Sequence, residues 1–192
     1  MVFLMMVYEN LQEEKPEKLE NLLSLISTGD QDAFREFYEK TKTSVYGFAL
    51  SLLRNTYDAE DVMQNAYVAI YRTAAQYQKQ GKPMAWVLTI VKNLCFEKMR
   101  KAKHETELSE IGDYNAPYTE QMSSDDKLLI EYALNLLKPD ERKIVVLHTV
   151  SGLKHREIAN LLDLPLGTVL SLYQRAIKKT KKYLQGGEYG DK

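Results

Sequence analysis

Five cations crowd one short stretch near the end of the chain: Arg175, Lys178, Lys179, Lys181 and Lys182. Positive charge at that density suits phosphate neutralisation, because each lysine or arginine placed on a nucleic-acid backbone releases condensed counterions. Just before it, Thr168, Ser171, Leu172 and Arg175 remain outward once Val169, Tyr173, Ala176, Ile177 and Thr180 are taken as the inward stripe of one helix. Hydroxyls, an apolar branch and a guanidinium are groups that meet base edges and phosphates in a groove. Covalent chemistry finds no comparable set. His104, His148 and His155 read as solvated surface residues, and Cys95 reads as a buried structural thiol, with neither metal-ligand spacing nor a nucleophile beside a base. An enzyme is disfavoured, and no metal or cofactor is expected.

The elements that must position these groups follow from the flanking pattern. In KHREIANLLDL, Ile158, Leu161 and Leu162 recur at helical spacing, with the small Ala159 where a second helix can approach. Asp163-Leu164-Pro165 breaks the pattern, and proline suits the first turn of a new helix starting near Leu166. A short helix, a turn of three or four residues and a second helix form a helix-turn-helix, whose second helix fits the major groove. The competing reading is an ordinary helical hairpin with solvating lysines; the cation cluster argues against it.

With 192 residues, 44% of them hydrophobic, the chain has apolar material for one domain or two small ones. The net charge of −1 conceals a segregation by segment. Residues 27–103 carry twelve basic and eight acidic side chains, 104–126 carry seven acidic and no Lys or Arg, and 127–185 carry eleven basic and five acidic. Two basic blocks flank an acidic strip, and a nucleic acid responds to such local fields. A single cysteine fits a reducing cytoplasm. The start, MVFLMMVY, lacks a basic flank and runs into acidic sequence, unlike a signal peptide or a membrane span. Residues 1–26 therefore read as an N-terminal extension, a docking turn or a disordered lead, without membrane insertion.

Along the chain, Phe34, Phe37, Thr41, Val45, Phe48 and Leu52 step by three or four, predicting a long amphipathic helix over 30–53 capped by Asp30 or Asp32. After Asn55-Thr56 a second helix is expected from Asp58, with Asp61 three residues on as a weak relative of the capping box. Its stripe Val62, Ala66, Ile70 and Thr73 leaves Asp61, Gln64, Asn65, Val68 and Arg72 opposite, as either a solvated face or a docking surface for another protein. QKQGKP at 78–83 is a loop, and Pro83 suits the start of a third helix that buries Val87, Ile90, Val91 and Leu94 and ends in Lys98, Arg100, Lys101 and Lys103. Trp86 and Asn93 on it read either as packing residues or as groups that meet unstacked bases. The aperiodic acidic stretch 104–126 is a linker. Beyond it Leu128, Leu129, Tyr132, Leu136 and Leu137 predict a helix ending before Pro139, and 141–150 predict another that leads through Ser151-Gly152 to the helix-turn-helix. No strand alternation persists. The expected fold is all-α: two small helical domains, 27–103 and 127–185, joined by a flexible acidic linker and followed by a short tail, 186–192.

The combination resembles the extracytoplasmic-function group of sigma factors in the sigma-70 family, over about residues 30–184. DAEDVMQ at 58–64, AWVLTIVKN at 85–93 and REIANLLDLPLGTV at 156–169 carry the resemblance by their order, spacing and charge blocks. It implies a bacterial transcription-initiation subunit with core RNA polymerase and promoter DNA as partners, and an anti-sigma protein as a usual antagonist. On that resemblance Asp58, Glu60, Asp61 and Gln64 bind polymerase. Trp86 and Asn93 capture flipped bases of the minus-ten element while Lys98, Arg100 and Lys101 hold its backbone. Thr168, Ser171, Leu172, Arg175, Lys178 and Lys179 meet the minus-thirty-five duplex. Two positions depart from the family pattern: Asn65 stands where glutamate is usual and Leu172 where a basic residue is common. A helix-turn-helix regulator acting without polymerase, or a degenerate interaction protein, would share parts of this pattern.

Overall fold

Gln31–Leu53, the second helix among the described residues, is buried on every side over its C-terminal half: Ser44 through Ser51 are all buried. A helix enclosed all round must have partners on all its faces, and the remaining elements supply them. The computed structural model describes residues 16–106 and 137–184. The opening apolar octapeptide, most of the expected linker, the helix expected around Leu128, Leu129, Tyr132 and Leu136, and the tail lie outside those residues. Among the described residues seven α-helices and no strand are found.

Helix α1, Pro16–Ile26, begins on proline with Glu17 in its first turn and buries Leu19, Leu22, Leu23 and Ile26. Four such side chains contribute on the order of 1.5–3 kcal/mol each when removed from water. Residues 16–26 therefore belong to the core, although the sequence reading placed them in an extension. Gly29, at φ +90°, turns the chain, and Asp30 Oδ1 accepts from the Ala33 amide at 2.9 Å to cap α2, Gln31–Leu53. Arg54 ends α2 in the left-handed conformation. The cap of α3, Thr56–Thr73, is Asn55, whose Oδ1 accepts from the Asp58 amide at 3.1 Å; Asp58 lies inside the helix and does not start it. After a short 3-10 turn and the loop through Gly81, α4 spans Pro83–Thr106. Its buried stripe is Val87, Leu88, Val91 and Cys95, with Ile90 and Leu94 only half-buried, a rotation of the expected stripe by part of a turn. Burial pushes the Cys95 thiol up to about 12, so it is an inert packing residue, as expected.

The C-terminal elements are α5, Pro139–Val145, a single π turn Val146–Val150, α6, His155–Leu162, and α7, Leu166–Leu184. Glu141 and Glu157 each accept from the amide three residues earlier, at 3.1 and 2.9 Å, starting α5 and α6. Asp163 adopts φ +56° and closes α6 before Pro165, as the break in the pattern predicts.

The two helical groups meet along α2. Val146, Leu147, Leu153, Ile158 and Leu161 join one buried cluster with Phe37, Val45, Phe48, Val87 and Val91. The Ser44 hydroxyl donates to the Val150 carbonyl at 2.8 Å, and the Lys92 ammonium caps α6 by donating to the Leu161 carbonyl at 2.7 Å and pairing with Asp163 at 3.3 Å. Gly47 faces Val146 across this seam; a Cβ there would stand 3.5 Å from Cγ1, ordinary contact. Glycine inside a helix costs about 0.5–1 kcal/mol relative to alanine. Gly47→Ala should therefore raise the urea midpoint with an unchanged slope; a lowered midpoint would mean that the seam leaves no room for a methyl group.

Candidate functional site

Three surfaces gather the residues that the sequence singles out. On α3, Ala59, Val62, Met63, Ala66 and Ile70 face the core, which turns Asp61, Gln64, Asn65, Val68 and Arg72 to solvent and leaves Asp58 and Glu60 half-buried. The face is knitted together. Lys98 of α4 reaches across to Asp58 at 3.0 Å and Asp61 at 2.7 Å, and the Asn65 amide donates to the other Asp61 oxygen at 3.2 Å. Burial opposes the charge on Lys98, yet the two carboxylates outweigh it and hold the ammonium above its ordinary value. Lys98 thus braces α3 against α4, a place that the motif alone does not reveal. Asn65, departing from the usual glutamate, supplies Asp61 with a donor where a second carboxylate would repel it. Val68, expected on this face, and Tyr71, which the spacing did not single out, extend it with exposed apolar surface.

The second surface lies at both ends of α4. Trp86 is half-buried with its ring 5.3 Å from that of Tyr77, while Asn93, two turns on, is exposed. Tyr77 is itself held: its hydroxyl donates to Glu20 at 2.7 Å, and the same carboxylate accepts from the Gly81 amide at 2.8 Å. Helix α1 therefore anchors the loop that leads into α4, three residues before Trp86. Burial, then the Glu20 hydrogen bond, pushes the Tyr77 phenol up to about 12. Arg100 and Lys101 are exposed near the far end, with Lys101 paired to Glu97 at 2.8 Å.

The third surface is α7. Ser171, Arg175 and Lys178 are exposed and Thr168 is half-buried. Two expected members sit elsewhere. Leu172 is half-buried and packs against the core, and Lys179 pairs with Glu141, whose side chain is only 2% exposed. At about 100° per residue, Leu172 lies some 60° from Val169 and 40° from Ala176, both fully buried, so the inward stripe is wider than single spacings suggest. The exposed strip is instead Leu166, Leu170, Ser171, Gln174, Arg175 and Lys178.

Beneath α7, His148, His155 and Tyr173 form a ring cluster with centroids 4.2–4.8 Å apart. His148 Nδ1 is 2.8 Å from the Leu153 carbonyl, and His155 Nε2 is buried with no partner among the described residues. These two histidines are packing residues and not solvated surface residues: they lie seven apart, on either side of a turn that the sequence does not show folding back. Burial, then the neighbouring His148, lowers the His155 pKa below the ordinary histidine value. The unfolded chain binds a proton there below about pH 6.5 while the folded one resists it, so this contribution is complete above that pH and is lost on acidification. His155→Phe keeps a ring in the cluster and should reduce the fall in melting temperature between pH above and below that value. An identical pH dependence in the variant would contradict a buried neutral His155.

Among the described residues no helix is long and apolar enough to cross a membrane. The family model for Sigma-70 region 2 matches residues 37–105, and that for Sigma-70 region 4 matches residues 127–180. The chain is 27% identical over 178 residues to the ECF RNA polymerase sigma factor SigK of Mycobacterium ulcerans, covering 88% of this chain and 95% of that one. It is 28% identical over 159 residues to the RNA polymerase sigma factor CarQ of Myxococcus xanthus, covering 81% and 91%. Among solved structures it is similar to the sigma factor RpoE bound to the anti-sigma factor NepR from Bartonella quintana, with a TM-score of 0.58 at 25% identity over 79% of this chain and 98% of that one. CnrH bound to the cytosolic domain of CnrY has the same TM-score at 20% identity, covering 89% and 99%, a likeness of fold.

Proposed function

This chain belongs to the extracytoplasmic-function group of the sigma-70 family, and we propose that it joins core RNA polymerase and directs it to promoters through two separate surfaces. The observation that carries this reading is that the two sigma-70 regions fall in order on the two helical groups: region 2 on α2–α4 and region 4 across α5–α7. We take 27–103 and 127–185 as the corresponding functional units, joined by 104–126, with α1 added to the core of the first.

The exposed, Lys98-braced face of α3 is the docking surface for polymerase, through Asp58, Glu60, Asp61 and Gln64. Trp86 and Asn93 take unpaired bases of the minus-ten element, with Arg100 and Lys101 on its backbone and Lys98 acting through the brace. Stacking on an aromatic ring is worth about 1–3 kcal/mol per base, and Tyr77 holds the Trp86 ring in place for it. On α7, Thr168, Ser171, Arg175 and Lys178 face the minus-thirty-five duplex, while Leu172 and Lys179 position the helix from behind. No catalytic step is assigned to the chain itself, and work with polymerase places it in the cytoplasm. The likeness to RpoE in its complex extends the proposal to an anti-sigma partner.

This reading makes a demand on the seam. Elements named for positions minus ten and minus thirty-five are about 25 base pairs apart, roughly 85 Å at ~3.4 Å per pair. A folded body of this length has a radius of gyration of only about 16 Å. The Ser44–Val150 and Lys92–Leu161 contacts must therefore part when both elements are held.

Run-off transcription by core polymerase with and without the purified chain tests the function: new start sites that depend on the chain are expected, and duplex binding without initiation would favour a polymerase-independent regulator. Asp61→Lys should weaken polymerase capture at least tenfold, whereas Lys98→Ala, which breaks the brace but leaves the acidic face, should weaken it less. Equal capture of wild type and Asp61→Lys would place the docking surface elsewhere.

A further inference from the structure

Leu166, Leu170, Gln174 and Lys178 recur every four residues along α7, and all four are exposed. Leu166 and Leu170 are 37% and 40% exposed, among the few large apolar side chains left to solvent in the described residues. The same helix does send other apolar side chains inward: Leu172, Val169 and Ala176. The row is therefore a surface in its own right, apolar at the start of the helix, then an amide, then a cation, with Arg175 beside it.

We infer that Leu170 and Gln174 determine which minus-thirty-five sequence this chain reads, Leu170 against a thymine methyl and Gln174 against an adenine about two base pairs away. The inference rests on the reading of α7 as the duplex-binding helix. The occupant is duplex DNA because Lys178 ends the row and Arg175 lies beside it, the charge that phosphates require. In a recognition helix the early residues reach base edges. Positions 170 and 174 are four residues apart, a rise of about 6 Å, close to the ~6.8 Å of two base-pair steps. Glutamine has the donor and acceptor that match adenine N7 and N6 in a bidentate pair, and a leucine branch matches the thymine methyl. Both side chains are exposed, so changing either leaves the buried core in place. Neither belongs to the outward set that helical spacing alone suggests; Leu170 takes the role that spacing assigns to Leu172.

The test is binding-site selection on a randomised minus-thirty-five segment by the full chain bound to core polymerase, beside run-off transcription from the selected sites. The wild type should select a motif with adenine and thymine two steps apart. Gln174→Glu should move the preference at the adenine position toward cytosine by roughly tenfold or more, since glutamate accepts from the cytosine amine. Replacing the thymine with deoxyuracil removes only the methyl group. It should weaken the wild type by roughly fourfold, the worth of one buried methyl, and leave Leu170→Ala indifferent. A wild type that initiates and selects a motif, with both variants selecting the same motif and sensing the uracil equally, would overturn the inference and leave the promoter-directing function standing. A wild type that neither selects a motif nor initiates would overturn both. Loss of self-association or of a protein partner in the variants, with base preferences unchanged, would also overturn it.

Discussion

The burial of α2 on all sides is the constraint from which the rest of the structure follows. A helix whose residues 44–51 are all buried cannot be satisfied by one layer of neighbours. Helices α1, α3 and α4 cover one part of its surface, and the π turn and α5 of the C-terminal group cover the other. Gly47 faces Val146 across the seam, and Ser44 satisfies its hydroxyl on the opposing backbone. The seam also carries a built-in weakness. Among the described residues Arg142 is buried with one carbonyl partner, its Nε is unpaired, and both burial and the nearby Arg54 disfavour its charge. A buried guanidinium compensated by a single carbonyl makes the packed arrangement less stable than its apolar contacts alone would make it. Such a joint is suited to a chain whose proposed task requires its halves to part.

Charge in this molecule divides into two populations. Lys98, Lys92 and Lys179 are held by carboxylates or helix ends inside the structure, while Arg100, Arg175 and Lys178 are left on the surface. The first population sets angles between helices; the second is available to a polyanion. Basic blocks in the sequence contain both kinds, which is why the block charge points to a nucleic acid without saying which lysines would touch it.

Much of the architecture was legible beforehand. Periodicity placed α2 and the helix-turn-helix within a residue or two, because a long apolar stripe and the Asp163-Leu164-Pro165 break leave few alternatives. Asn55 was missed as a cap because the acidic pair after it matched a commoner motif. Helix α1 was missed because eleven residues with five large apolar positions, interspersed with acids, look like a solvated lead until α2 offers them a partner. Leu172 and Lys179 were placed outward because a single stripe of buried positions underestimates the width of a face packed on two sides. The histidine cluster depends on a turn that brings positions 148, 155 and 173 together, and no local pattern encodes that meeting.

The central claim is that one chain, packed on itself as a free molecule, reads two promoter elements with two halves. The direct measurement is the distance between dyes on cysteines introduced at Asn21 and Arg156, both exposed and on opposite sides of the seam, with the inert Cys95 left in place. The two dyes should lie no further apart than the breadth of one folded body in the free protein and should separate by tens of ångströms, toward the roughly 85 Å between the elements, in an initiating complex with core polymerase and promoter. An unchanged short distance in a complex that makes transcript would contradict the account.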